Sequence, residues 1–282
     1  MTTKELIFKT CELPAVPKIA VKIIKLIDDP RTNAEDLQKV IIADQALATR
    51  MLRMANSAFY GVRQKIDTIS EAISIMGFNT IRILTLAVST REVYKRFGII
   101  EQKLWEHSLG VSIASGLLAE ESPSLKKEEV VVAGLLHDIG KVIMDNSQPE
   151  RFTLLTQRMY DERIPFYALE QKVFGFGHAE AGFFLLEKWG VPVRLCSVIL
   201  QHHSYDFLRE EVNEYQMSLS ATVALADALC ARIGIGYRDS MADLDLKEEP
   251  LREALAIGKE RIEEITKALK AAYMEEKIHY LQ

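Results

Sequence analysis

The chain has 282 residues, of which 48% are hydrophobic and 27% are charged, and its formal net charge is −5. These values are ordinary for a globular protein, and the negative charge argues against nucleic acid or an anionic membrane as a partner. Three widely spaced cysteines (Cys11, Cys196 and Cys230) predict free thiols, and no apolar run is long enough to span a bilayer, so we expect a cytoplasmic protein.

Helical periodicity dominates the first hundred residues. An apolar stripe of four isoleucines follows Pro17 and predicts a helix that ends at the sequence DDP. Asn33 is placed to cap the next helix, and Thr68 is placed to cap a helix that closes on glycine at residue 77. Two further helices are expected, one over residues 44–61 and one over residues 79–94. The sequence therefore predicts a bundle of short helices in this half.

The remaining residues continue the same pattern. Helices are predicted over residues 102–120, 126–146, 149–164, 165–175, 178–190, 192–203 and 217–234, and over a charged tail from about residue 248. The pattern is interrupted at KRFGIIEQ, residues 95–102. We therefore expect an all-α protein with a first lobe over residues 1–98, a second lobe over residues 99–235 and a C-terminal extension over residues 236–282.

The segment AGLLHDIGKVIMDN, residues 133–146, places His137, Asp138 and Lys141 in an otherwise apolar helix. A buried imidazole or carboxylate must be paired, hydrogen-bonded or bound to metal, because stranding it in an apolar interior costs several kcal/mol. Gly134 and Gly140 cost helix stability relative to alanine. They indicate a close approach to the backbone, either by a ligand or by another helix.

Most of the histidines fall in the second lobe, and Asp227 interrupts an apolar run. The histidines concerned are His107, His137, His178, His202 and His203. Imidazole with carboxylate suits iron, zinc, manganese or nickel, and the thiolates of a structural zinc site are missing. Taken one at a time, each has a simpler explanation. His107 would be a hydrogen-bonded core histidine, Asp227 an ordinary hydrogen-bonding aspartate, and the His202–His203 pair a helix end.

The order of these residues resembles the metal-binding pattern of the HD superfamily of phosphohydrolases, and HDIGK with the later histidines is similar to the HD-GYP phosphodiesterases. The resemblance implies two divalent ions, with iron or manganese favoured and zinc or nickel as alternatives. The implied ligands are His107, His137, Asp138 and Asp227 for one ion and His178, His202 and His203 for the other, with Asp138 bridging. It also implies that Asp138 and Lys141 are the catalytic residues, with Lys141 directed at a substrate phosphate.

The sequence departs from that pattern in two places. Members with three metals carry a glutamate where this chain has Lys103, and no GYP motif follows His203. The segment GIGYRDS, residues 234–240, lies beyond Asp227 and is a poor substitute for it. The HD-GYP resemblance by itself therefore does not predict cleavage of a cyclic dinucleotide.

The first lobe carries a second resemblance. The segments LPAVPKIAVKIIKLI, ANSAFYG and AISIMGFNTIRIL are similar to the N-terminal lobe of HDOD domains, the HD-related output domains of bacterial signalling proteins. The likeness extends over about residues 10–230. Read from the residues alone, Asn56, Tyr60 and Gly61 of this lobe are explained as helix-end and turn residues. The HDOD resemblance implies a role in signal transduction.

Three hypotheses follow for function. The chain is a signalling domain whose metal site acts as a sensor, an active metal-dependent phosphohydrolase of nucleotides or cyclic dinucleotides, or an interaction scaffold with a metal-free polar network. The expected partner is a signalling protein or a phosphate-containing small molecule, with no nucleic acid and no membrane. The tail helix has one apolar stripe, which fits either docking on its own domain or pairing in a homodimer.

Overall fold

The computed structural model describes residues 1–56, 65–208, 212–244 and 246–280. Within these ranges the chain is built from helices, and no β-strand occurs. This confirms the expected all-α class. No helix in the described part of the chain is both long and apolar enough to cross a membrane.

Five helices make up most of the first lobe: α1 (Thr3–Thr10), α2 (Lys18–Asp28), α3 (Ala34–Ile42), α4 (Gln45–Asn56) and α5 (Ile69–Ser89). The Asn33 side chain accepts hydrogen bonds from the backbone N–H groups of Glu35 and Asp36, as expected of a helix cap. The Thr68 hydroxyl likewise accepts from the backbone N–H of Glu71 at 3.1 Å. Gly77 has φ +76° inside α5, so the expected break between two helices is confirmed.

Only part of the ANSAFYG segment can be described. Asn56 is the last residue of α4, and its side-chain amide donates to the carbonyl of Ile66 at 2.6 Å and accepts from the N–H of the same residue at 2.6 Å. This pairing ties the end of α4 to the chain before α5, in line with a helix-end role. Tyr60 and Gly61 lie outside the described residues.

The rest of the chain continues through ten helices in the described residues: α6 (Ile99–Ala119), α7 (Lys127–Leu136), α8 (Ile139–Ser147), α9 (Pro149–Glu162), α10 (Phe166–Phe174), α11 (His178–Lys188), α12 (Val193–Gln201), α13 (Glu214–Ile233), α14 (Glu248–Ala254) and α15 (Lys259–Tyr280). One expectation here was wrong. The helix predicted over residues 126–146 breaks at His137–Asp138, because Asp138 has φ −101° and ψ 11°. Helical periodicity continues through this break, so the sequence pattern does not reveal it.

Gly140 explains why α8 and α11 can lie so close together. A Cβ atom built on Gly140 would lie 1.9 Å from the carbonyl oxygen of His178. Helix packing therefore accounts for this glycine, one of the two explanations open at the outset. Close approach of the two backbones brings the α7–α8 break beside the start of α11.

One hydrophobic core extends through both lobes and the C-terminal helices. Helix α1 packs against the second lobe, where the Phe8 ring meets the edge of Phe184 at 6.4 Å and Lys4 pairs with Glu187 at 3.3 Å. Helix α15 buries the predicted apolar stripe, Ile262, Ile265, Leu269 and Tyr273, and packs on α6. The tail helix thus docks on its own chain. The predicted boundary between the two lobes at residues 98/99 stays a prediction.

Candidate metal centre

Five structural elements bring the predicted site residues together. His107 lies in α6, and His137 and Asp138 occupy the break between α7 and α8. His178 is the first residue of α11, the His202–His203 pair follows the end of α12, and Asp227 lies within α13. The side chains converge in two groups. Within each group, one nitrogen or oxygen atom from every residue lies within 4.8 Å of those of the others. The first group is His107, His137 and Asp227, and the second is Asp138, His178, His202 and His203.

The first group surrounds Asp227. The Nε2 atom of His107 lies 2.9 Å from Oδ1 of Asp227, and the Nε2 atom of His137 lies 3.9 Å from the same oxygen. The three side chains therefore form one small cluster of two imidazoles and a carboxylate. It is a chemically suitable set for a divalent transition metal.

The second group surrounds the Oδ1 atom of Asp138. Its Oδ1 atom lies 3.1 Å from Nε2 of His178 and 3.8 Å from Nε2 of His202. The Nε2 atoms of these two histidines are 3.1 Å apart. His203 completes the group from beside His202, with ring centroids 4.0 Å apart, and it stacks on Tyr167 at 4.4 Å.

Asp138 faces both groups. Its Oδ2 atom lies 3.4 Å from Nε2 of His137 and 3.7 Å from Nε2 of His107, while Oδ1 faces His178 and His202. The same Oδ2 atom accepts a hydrogen bond from Nζ of Lys141 at 2.7 Å. The carboxylate thus lies between the two groups, with one oxygen toward each.

The hydrogen bonds behind the imidazoles fix their tautomers. Three Nδ1 atoms face backbone carbonyl oxygens. Nδ1 of His107 lies 3.0 Å from the oxygen of Ile235, that of His137 lies 2.8 Å from the oxygen of Gly134, and that of His202 lies 2.6 Å from the oxygen of Ile199. A carbonyl only accepts hydrogen bonds, so each Nδ1 carries hydrogen. A neutral imidazole then has its lone pair on Nε2, which in all three points into the centre.

The fourth histidine has a carboxylate behind it. Nδ1 of His178 lies 2.5 Å from Oε1 of Glu170, and the backbone N–H of His178 donates to Oε2 of the same residue at 3.0 Å. Glu170 is buried, and it was not among the predicted site residues. A detectable signal was its place between Phe166 and Phe174, at four-residue spacing on the apolar face of one helix.

The resulting arrangement fits a cation. Lone pairs of the inward Nε2 atoms of His178 and His202 face each other, and that of His107 faces a carboxylate oxygen. Such contacts between acceptors are repulsive unless a proton or a metal ion lies between them. The Nε2 atom of His137 is also buried and makes no hydrogen bond within the described residues.

Charges in the centre favour ionised carboxylates. Burial by itself raises the pKa of Asp138, but His137 and Lys141 outweigh it, and the pKa lies well below its usual value. The pKa of Asp227 is also lowered, because the nearby His107 outweighs the effect of burial. Burial lowers the pKa of Lys141, yet Asp138 and Asp227 more than compensate, so this pKa is raised. The lysine is therefore a buried ammonium group.

The histidines of the second group divide into two kinds. Burial lowers the pKa of His202 to about 3, helped by His178 and His137, and burial also holds the pKa of His203 well below its usual value. Burial opposes protonation of His178, but Glu170 and Asp138 raise its pKa to about 9. Without metal, a proton on His178 is the cation that this group holds.

A cavity of about 460 Å³ opens onto the centre at His107, Asp138 and Lys141. Part of its wall is formed by the segment GIGYRDS, which is a poor substitute for the GYP motif. The carbonyl of Ile235 is the acceptor behind His107, and a Cβ on Gly236 would lie 2.3 Å from Cβ of His107. The ring of Tyr237 packs edge-on against His107 at 5.0 Å. The segment therefore supports the centre and shapes the entry to it.

Comparison with known proteins gives a family match and several structural relatives. The model of the HDOD domain family matches residues 13–205. An uncharacterized protein of Treponema pallidum is 28% identical over 217 residues, which are 77% of this chain and 42% of that protein. The chain therefore spans less than half the length of this curated relative.

Two solved structures show the same fold. An HDOD domain protein of unknown function from Geobacter sulfurreducens has a TM-score of 0.70 and 27% identity, covering 96% of this chain and 93% of its own. A protein of Shewanella amazonensis, provisionally named a metal-dependent phosphohydrolase, has a TM-score of 0.65 and 17% identity, covering 96% and 95%. At that identity the second likeness concerns the fold alone.

Proposed function

Because this chain belongs to the HDOD domain family, we propose that it is a cytoplasmic signal-transduction module whose His/Asp centre binds two divalent transition metal ions and acts as a sensor. The proposed ligands of one ion are His107, His137 and Asp227, and those of the other are His178, His202 and His203, with Asp138 shared between them.

The observation that carries this proposal is the outward direction of the Nδ1–H groups. His107, His137 and His202 each donate to a backbone carbonyl, and His178 donates to Glu170. Metal-ligating histidines characteristically use this arrangement, since it fixes the tautomer and directs the other nitrogen at the ion. A metal-free polar network accounts for the contact between His178 and His202 through a proton on His178, but it leaves Nε2 of His107 facing an oxygen of Asp227.

Ligand chemistry narrows the choice of metal. Imidazole and carboxylate groups, without any thiolate, suit iron, manganese, zinc or nickel and disfavour soft ions. A centre with a shared carboxylate and mixed nitrogen and oxygen ligands fits iron or manganese best. The sensor role rests on the family and on the way the centre joins five elements of the second lobe, so that occupancy by metal changes how firmly they are held together.

A second candidate function is phosphoester hydrolysis, and the cavity that reaches Asp138 and Lys141 favours it. A pair of divalent ions supplies Lewis acidity toward a phosphate group and lowers the pKa of water. The buried ammonium of Lys141 would bind a phosphate oxygen, and Asp138 would hold that ammonium in place through their 2.7 Å hydrogen bond.

Elemental analysis of the purified, untagged protein tests the metal proposal. We expect about two ions of iron, manganese, zinc or nickel per chain, either as isolated or after reconstitution without oxygen. No bound metal under both conditions would contradict the proposal and favour the scaffold. One ion per chain would contradict a dinuclear centre.

Hydrolysis is then tested separately on the metal-loaded protein. Release of phosphate from phosphate monoesters, or cleavage of cyclic dinucleotides, would establish the second candidate. Binding of metal without turnover of any of these compounds would leave the sensor role as the function of the centre.

A further inference from the structure

We propose that the cavity next to the centre is a binding site for a small phosphate monoester whose organic part is a single aromatic group. This inference deepens the proposed function and rests on it, since the phosphate is placed at the metal centre. The aromatic preference comes from the cavity walls, which are independent of the metal.

The walls are mainly apolar and aromatic. Phe152 and Phe166 lie on one side, Met159 and Tyr160 come from α9, and Tyr237 comes from the segment after α13. Phe152 and Phe166 pack against each other with centroids 5.1 Å apart, so the two rings line the cavity as one packed pair. Burial of a flat apolar group against such rings is favourable and has a defined geometry.

The inner end of the cavity has the opposite character. Lys141 places its ammonium there, 5.2 Å from the centroid of the Phe166 ring. Its Nζ atom donates to Oδ2 of Asp138 at 2.7 Å, so this cationic group lies where the cavity meets the centre. An aromatic ligand with an anionic group at one end matches this polarity, with the anion inward and the ring outward.

Arg238 adds a positive group to the cavity lining, which also contains Lys103 and the acidic Asp161. The guanidinium of Arg238 lies over the Tyr160 ring at 4.4 Å, and the backbone N–H of Arg238 donates to the Tyr160 hydroxyl at 2.9 Å. Its ion pair with Asp239 is a loose 3.7 Å contact, and the arginine side chain is 64% exposed. The flat guanidinium therefore extends the aromatic wall and draws anionic ligands toward the cavity.

Size sets the limit on the organic part. A volume of about 460 Å³ lies in the lower part of the range of about 300–1,000 Å³ that holds one small ligand. It has room for a phosphate and one aromatic group, whereas a molecule with two bases would extend into solvent. A free aryl phosphate and a phosphotyrosine side chain share the required chemistry.

Calorimetric titration of the metal-loaded protein with phenyl phosphate and ethyl phosphate tests the preference. We expect phenyl phosphate to bind about tenfold more tightly or better, because the ring replaces water against the apolar wall. Equal affinities would overturn the inference. A phosphotyrosine peptide titrated in parallel separates the two sources: if only the peptide binds tightly, the ligand is a protein side chain.

Two variants and one control variant locate the site. Thr153 lines the cavity and Leu154, its neighbour in α9, is 54% exposed and does not. Thr153→Trp should fill the cavity and remove the preference for phenyl phosphate, while Leu154→Trp should retain it. Arg238→Ala, at an exposed position, should weaken phenyl phosphate severalfold with unchanged metal content. Unchanged binding in both Thr153→Trp and Arg238→Ala would place the ligand elsewhere.

Failure of the inference can be distinguished from failure of the proposed function. Metal content is measured independently of any ligand, so a protein without metal contradicts the function alone. The preference for phenyl over ethyl phosphate can still be measured on that protein, because the aromatic walls do not depend on metal. A metal-loaded protein without the preference contradicts the inference alone.

Discussion

The carboxylate of Glu170 lies 2.5 Å from Nδ1 of His178 and also accepts the backbone N–H of that residue. Both groups are buried. This pairing fixes the first residue of α11 with its Nε2 atom toward Asp138. Glu170 belongs to neither group of converging ligand atoms, so it acts on the proposed metal site only by positioning His178.

Glu170→Gln should therefore weaken metal binding without removing a ligand. Loss of the charge behind a ligating histidine lowers metal affinity by about 10- to 100-fold. Competition with a chelator, followed by elemental analysis, measures this change. Gln171→Ala, at the exposed neighbouring position, is the matched control. Equal affinity in the Glu170→Gln and native proteins would contradict a positioning role.

Asp138→Ala should abolish binding at both groups, because this carboxylate faces the histidines of each. We expect metal content to fall from about two ions per chain toward zero, with helix content by circular dichroism retained. Asp67→Ala, which changes an exposed carboxylate paired with Lys65, controls for loss of charge. Unchanged metal content in Asp138→Ala would show that the ligand assignment is wrong.

Lys141→Met should leave the metal count intact and weaken the binding of inorganic phosphate. A charge-assisted hydrogen bond is worth about 1.5–3 kcal/mol, which corresponds to about 10- to 100-fold in affinity. Titration of the metal-loaded variant with phosphate measures the loss. Lys172→Met, at an exposed position in α10, is the control. Phosphate affinity equal to that of the native protein would exclude Lys141 from anion binding.

Gly140→Ala should destabilise the whole second lobe. The added Cβ would overlap the carbonyl of His178, and overpacking of this kind costs about 1–3 kcal/mol or more. For a chain of this size the melting temperature should fall by several degrees. In Gly258→Ala the Cβ would only meet a side-chain oxygen of Glu260 at 3.7 Å, so its melting temperature should hardly change. Similar values for the two variants would contradict the close helix packing.

The metal-free protein should lose stability as the pH falls below about 6.5. His202 has a pKa of about 3 in the folded chain and about 6.5 when unfolded. Between these values the unfolded chain binds a proton that the folded chain does not, so the free energy of unfolding decreases toward acid, by up to about 1.4 kcal/mol per pH unit. His203 acts in the same direction.

Three groups oppose this trend: Asp145, Glu248 and His178. Burial raises the pKa of Glu248, and His178, with a pKa of about 9, keeps a proton that the unfolded chain loses above about pH 6.5. Burial raises the pKa of Asp145 to about 6, so the folded chain gains a proton there that the unfolded chain lacks until about pH 4. His202 and His203 together outweigh these three groups between pH 7 and pH 5, so a net loss of stability remains. Urea midpoints of chelator-treated protein at pH 7 and pH 5 measure it, and His202→Gln should show a smaller difference between the two. Equal midpoints in the native protein would mean that His202 is not buried in its neutral form.

Much of the fold could be read from local patterns. Helical periodicity and caps at Asn33 and Thr68 depend on neighbours within one or two turns, and the structure confirms both caps. The break at His137–Asp138 could not be predicted, since apolar residues continue on both sides of it. It depends on how α7 and α8 pack against other helices, which periodicity does not encode.

The sequence by itself determined the helical class, because periodicity carries that information, and the resemblance of its motifs indicated the family and the seven side chains of the candidate centre. Only the tertiary structure decided the rest. It brought Glu170 behind His178, placed Ile235 and Tyr237 against His107, and formed the cavity. These contacts join residues from separate helices and loops, and the direction of each Nδ1–H group depends on which acceptor the fold places beside it.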